Sequence, residues 1–161
     1  MVGSVLVFAW SNWSFAWNYK EGIDPLTDKP FGYASEYSEN GGPLPIWTGV
    51  KCWRDGDAQL MFWFPTIEYK GSKSKEPSVL VRVDHGPPFP LIVSISQFGP
   101  SYGLVGHSRK NPFLYALLID FAEAKSRIVA VINNQSFTFS TADIEQSMIS
   151  MASRCANGEA K

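Results

Sequence analysis

From Phe31 to Ser96 the chain alternates with a period of two, in short runs broken by glycine, proline and aspartate. This pattern narrows the fold most, because only a strand turns every second side chain to the same face. FGYASEY (31–37) places Tyr33 and Tyr37 on one face and Glu36 on the other. The Gly41–Pro45 stretch, GGPLP, ends that run. Trp47 to Trp53 sets Val50 and Cys52 against Lys51. After the turn Asp55-Gly56-Asp57, QLMFWF (59–64) is apolar on both faces, the mark of a central strand. Ser78 to Val83 turns Val79, Val81 and Val83 inward and Arg82 outward, and Leu91 to Ser96 follows a rigid GPPFP link.

The period then changes. Asn111-Pro112 reads as an N-cap with proline at the first helical position, and Phe113, Leu114, Leu117, Leu118 and Phe121 form a helical apolar face. Arg127 to Ser140 reads as a hairpin turning at Asn133-Asn134. Ser140 and Asp143 have capping-box spacing ahead of a last helix through Ile144, Met148 and Met151 toward Cys155. There is no regular βαβ alternation. The expected fold is therefore mainly β, a β-sandwich or curled antiparallel sheet, with two short helices in the C-terminal third.

A chain of 161 residues, 45% apolar and 18% charged, fits one globular domain, expected over 17–155 with a polar tail at 156–161. Its net charge of −1 sets up no global field, so neither nucleic acid nor an anionic membrane is an expected partner. Lys70, Lys73 and Lys75 read as a solvated hairpin loop. Residues 1–16 read as a remnant signal or an N-terminal segment. Val5 to Trp10 is apolar, and Ser14-Phe15-Ala16 has the small residues a signal peptidase requires. The other reading is an aromatic first strand packed on the domain. The run is too short to span a bilayer, so no integral membrane segment is expected.

Reactive groups are sparse. Asp24 and Asp28 read as a turn around Pro25, since a calcium loop needs more oxygen ligands than these two supply. His85 and His107 are the only histidines, and no HExxH, paired-cysteine or GxSxG pattern accompanies them. A hydrolase or metal-dependent enzyme would have to use Asp84, His85 and His107. Gly99 to Lys110 lacks a phosphate-loop Gly-Lys-Ser/Thr junction and reads as a surface loop carrying Tyr102. No cofactor or metal is expected. Cys52 and Cys155 are compatible with a disulfide or with two buried thiols. Trp47, Trp53 and Trp63 are expected in the core, and the aromatic N-terminus around Trp17 as a docking surface.

The tract WNYKEGIDPLTDKPFGYASEY, then GVKCW with QLMFWF, VLVRVDHGPP, and SFTFSTADIEQSM before Cys155, resembles the small exported bacterial proteins of the VasI-type family associated with type VI secretion. The resemblance spans residues 17 to 155. Its Asp-Pro-Leu-Thr-Asp-Lys tract (24–29) follows Trp17, Cys52 lies in an early strand, and Val81–Asp84 closes a later one. It implies a periplasmic or secreted location and no enzymatic activity. The expectation is then a non-enzymatic exported domain that binds protein or envelope partners, an accessory of a secretion system. A Cys52–Cys155 bridge would staple it, and Trp17, Tyr102 and His107 are its partner-binding candidates. The alternatives are the enzyme above and a cytoplasmic or phage-encoded inhibitor that plugs a partner through the Gly99–Lys110 loop.

Overall fold

Runs of alternating residues become strands wherever a neighbouring run can complete their hydrogen bonds. In the computed structural model, residues 16–23, 28–40, 46–53, 56–65, 77–98 and 101–156 are described, the side chains of 97, 98 and 154–156 excepted. Four strands come first: β1 (Asn18–Ile23), β2 (Pro30–Tyr37), β3 (Trp47–Trp53) and β4 (Ala58–Phe64). Then follow β5 (Val79–Val83), β6 (Phe89–Leu91), β7 (Ser94–Phe98) and β8 (Ser101–His107). Helix α1 (Leu114–Glu123), the hairpin β9 (Ile128–Ile132) and β10 (Gln135–Phe139), and helix α2 (Ile144–Ala156) complete the order. The fold is mainly β with two short helices. The strands form two antiparallel sheets, ordered β1-β2-β3-β4-β8-β7 and β10-β9-β5-β6. The expected Asn133-Asn134 turn is present, both residues having positive φ (49° and 69°).

Four expectations change. Leu91 to Ser96, expected as one strand, breaks at Ile92-Val93, so β6 pairs in the second sheet and β7 in the first. The break is held by Asn111. Its amide oxygen accepts from the Ile92 N–H (2.8 Å), and its nitrogen donates to the carbonyls of Ile92 and His107 (both 2.9 Å). Spent there, Asn111 caps nothing, and α1 opens at Leu114 without a side-chain cap. Gly99 to Lys110, expected as a surface loop, instead contains β8, between β4 and β7. Its glycines are spacers: a Cβ at Gly103 would lie 2.9 Å from the Trp63 ring, and one at Gly106 2.8 Å from Leu91. The Ser140–Asp143 capping box also does not form. Ser140 Oγ accepts from the Ala142 N–H, and Asp143 has φ 58°.

The inner face of the first sheet carries Ala34, Val50, Cys52, Leu60, Phe62, Phe64, Tyr102 and Leu104. Phe62 meets Phe139, and Phe64 meets Phe137, at ring separations of 6.2 and 6.0 Å, which joins β4 to β10 of the second sheet. Helix α2 covers β2 and β3 beside this contact and packs on α1. Trp17 locks the helix pair to the chain's start. Its backbone N–H donates to Ala142 (2.9 Å), its indole N–H to Ser140 (2.8 Å), and its ring stands edge-on to Phe121. The Ser147 hydroxyl donates to the Trp17 carbonyl.

The inner face also buries a carboxyl. Glu36 accepts from the Tyr37 N–H with one oxygen, while its other oxygen and the Ser38 hydroxyl two residues on have no hydrogen-bond partner. Burial pushes the Glu36 carboxyl up to about 7, with a smaller contribution from the nearby Glu39 charge. The 24–27 part of the aspartate turn, the Lys70–Lys75 loop, residues 1–15 and the tail from 157 lie outside the described residues, while Asp28 is described at φ 53°.

Two predictions follow from this packing. Trp17→Ala removes a 3%-exposed ring that packs on Phe121 of α1 and bonds Ser140 ahead of α2, and is expected to cost about 3–5 kcal/mol in urea unfolding. Between pH 4.5 and 7 the unfolded chain ionises Glu36 while the folded chain keeps its proton, so folding stability falls as pH rises through that window. The loss is on the order of 3 kcal/mol. Glu36→Gln is expected to flatten that slope, so that urea midpoints of variant and parent diverge from pH 5 to pH 8.

Candidate binding face

The residues that alternate with the core set point away from it, on the outer face of the first sheet. Cross-strand register gathers them into rows. One row runs Tyr37, Trp47, Trp63, Gly103 across β2, β3, β4 and β8. Two residues along, Ser35, Gly49, Met61 and Val105 form the next. A third runs Lys20, Tyr33, Lys51, Gln59, His107, starting from β1. Phe31 and Trp53 pair beyond it.

Glycine decides how the rings lie. An ideal Cβ at Gly49 would be 2.7 Å from the Tyr33 ring, and the Trp63 ring occupies the corresponding space at Gly103. Tyr33 lies 5.2 Å from Trp47 at an interplanar angle of 34°. Burial pushes the Tyr33 phenol above its ordinary range, so its hydroxyl stays protonated. Lys51 Nζ stands 4.0 Å from the Phe31 ring centroid and 4.5 Å from that of Trp53, the separation of a cation–π contact. At the aromatic row a hollow of about 450 Å3 opens between Tyr37, Trp47, Trp63, Pro65 and Ser101. Tyr37 is 47% exposed there, and Trp47 and Trp63 are half-buried. A surface of this kind offers flat apolar faces with polar edges.

A second opening lies between the helices. It measures about 450 Å3 and is lined by Tyr115, Ile119, Ala122, Ile149 and Ala152, with Cys52 beneath. Cys155 lies in the last turn of α2 (Ile144–Ala156), and its side chain lies outside the described residues.

The residues singled out from sequence fare differently. Trp17 and Tyr102, expected at a partner surface, are core residues: Trp17 clamps the helices, and Tyr102 stacks on Phe64 at 4.6 Å and 6°. A ring whose area is already spent inside the fold has little left for a partner. His107 stays on the outer face, its Nδ1 3.0 Å from Gln59 Nε2. Asp84 closes a turn. Its carboxylate accepts from the N–H groups of Lys125, Ser126 and Arg127 and from the Ser126 hydroxyl. Those bonds, with Arg127 the largest contributor, hold the carboxyl well below its ordinary range. His85 is exposed beside it, and His107 belongs to the other sheet. Among the described residues no three His, Cys, Asp or Glu side chains gather to hold a metal. No described helix is long and apolar enough to cross a membrane.

Trp47, Trp53 and Trp63, expected in the core, lie on the outer face instead. Their alternation with Thr48, Cys52 and Phe62 puts the three on one face of the sheet, and the packing of Phe62 on Phe139 makes that face the outer one. No family model, curated protein or solved structure matches the chain. Replacing Gly49 by alanine is expected to drive Tyr33 off its seat and cost about 1–3 kcal/mol, read as a lower urea midpoint.

Proposed function

We propose that the chain is a non-enzymatic, exported binding domain that engages protein or envelope partners through the outer face of the first sheet. One observation carries the reading: Tyr37, Trp47 and Trp63 line an open hollow on a face the core does not use. Large rings left half-exposed together on one face supply contact area at small entropic cost. Against the enzyme reading, which would use Asp84, His85 and His107, stand the engagement of the Asp84 carboxylate by the backbone of 125–127 and the placing of His107 in the other sheet. The inhibitor reading loses its plug, since residues 101–107 are a paired strand rather than a free loop.

Export and the Cys52–Cys155 bridge belong to the same proposal, as does a role beside a secretion system, which rests on the VasI-type resemblance. What supports the bridge is placement. Cys52 is buried and lines the opening beside Met148, Met151 and Ala152 of α2, the helix that carries position 155 in its last turn. Closing a loop of that length stabilises by roughly 4–5 kcal/mol in the chain-entropy model.

A photo-crosslinking residue at Tyr37 is expected to trap an envelope component in cells, while one at Leu80 on the second sheet traps none. Equal yields at the two positions would remove the face from the proposal. Intact mass of the same protein, with and without reduction, is expected to show a chain beginning at Trp17 with both cysteines oxidised. A retained residue 1–16 segment with two alkylated thiols would place the protein in the cytoplasm.

A further inference from the structure

The apolar inner side of the first sheet runs out to an uncovered edge. One inward row crosses β3, β4, β8 and β7 as Thr48, Phe62, Leu104 and Ile95. The first three are at most 1% exposed, whereas Ile95 is 47% exposed. Among the described residues no strand lies beyond β7 to continue the row.

The other three sheet edges are blunted in ways that β7 is not. β1 carries Lys20 and Glu21 at its middle, and edge charges discourage a further strand. β6 is three residues long with Pro90 at its centre, which has no N–H to give to a neighbour. β10 is already engaged. The Glu39 N–H donates to the Thr138 carbonyl, and the Asn40 amide donates to the Ser136 carbonyl and accepts from the Thr138 N–H. By contrast, β7 reads Ser94-Ile95-Ser96-Gln97-Phe98, with neither charge nor proline. An edge of that kind is a template for another strand.

We propose that β7 pairs antiparallel with β7 of a second copy of this chain, about a two-fold axis through Ile95. The local sequence favours self-pairing because Ser-Ile-Ser reads the same in both directions. The axis sets Ser94 opposite Ser96 of the second copy and Ile95 opposite its own counterpart, with Cβ atoms about 5 Å apart. The inward row then continues from Leu104 through both isoleucines to Leu104 of the second copy, and no like charges meet. A two-fold axis through the middle of β1 would instead oppose Lys20 to Lys20 or Glu21 to Glu21, which is unfavourable. An interface built on one short strand is narrow, so the dimer belongs to the weak class and dissociates at concentrations on the order of tens of micromolar.

The inference goes beyond the binding face and does not depend on what that face holds. Because the axis is perpendicular to the sheet, the outer faces of both copies look the same way. Five strand spacings separate β4 from β4 of the second copy, about 24 Å, which sets the two Trp63 hollows side by side. A partner with repeated epitopes is then held at two points, with a gain in avidity.

The test is sedimentation velocity of the purified chain from about 1 to 200 μM, a range that brackets a weak dimer. The expected result is a shift from monomer to dimer as concentration rises. Ile95→Lys is expected to raise the dissociation constant at least about tenfold, while Ile23→Lys, the same change on the exposed β1 edge, leaves it unchanged. A monomer at every concentration overturns the proposal, and so does a dimer that survives Ile95→Lys. Should Ile95→Lys fail to fold, a benzophenone side chain at position 95 decides the matter. A dimer-mass product joined within residues 93–97 of the second copy supports the pairing, and a junction elsewhere, or none, overturns it. A foreign protein trapped at position 95 in cells, with the pure chain monomeric, would assign the edge to a strand of that partner and overturn self-pairing.

Discussion

The contact on which the rest depends is the meeting of β4 with β10, where Phe62 packs on Phe139 and Phe64 on Phe137. It joins strands from the two sheets across the core, between residues more than seventy positions apart. Because β4 is central in the first sheet, with β3 on one side and β8 on the other, its buried face sets which side of all six strands is inward. A pleated strand cannot turn the same residue both ways. Once Phe62 and Phe64 face β10, Trp63 must face out, and register carries Trp47 and Tyr37 out beside it. The aromatic face is thus a geometric consequence of the core contact.

Small residues then shape that face. Glycine in a strand interior ordinarily weakens it, yet Gly49 and Gly103 are retained where Tyr33 and Trp63 occupy the space a side chain would take. Rings settled in this way lie low over the sheet, and Met61 and Val105 in the row between are buried on the outer side although they lie outside the main core cluster. The first sheet is therefore lined with apolar side chains on both faces, with the helices and β10 over the inner one and rings over the outer one. Polar groups are used sparingly and locally. Asn111 acts as a strand partner to Ile92 where the chain changes sheets, and Asp84 gathers the amides at the end of α1. Glu36 is the exception, a carboxyl left inside with one oxygen unpartnered. It trades stability at neutral pH for no evident structural gain.

The helices lie where the second sheet does not reach. Their shared anchor is Trp17, whose three backbone and indole hydrogen bonds to 140–147 tie the start of the domain to its end. A residue so engaged reads in sequence like an interface tryptophan, because burial by distant partners leaves no local trace. Tyr102 misleads for the same reason, with the added disguise of glycines at 103 and 106 that look like loop punctuation.

By itself the sequence determined the class of fold and most strand boundaries, because period-two alternation and turn chemistry are local properties of the backbone. Tyr33 and Tyr37 opposite Glu36, Lys51 opposite Cys52, and the Asn133-Asn134 turn were all legible in this way. What only the tertiary structure decided is which face of each strand is the core, where the chain changes sheets, and which rings are spent inside. Those outcomes depend on register between distant strands and on space left by glycines, and alternation is symmetric between its two faces. The sequence divides each strand into two sets of side chains, and only packing against another layer chooses which set meets the solvent.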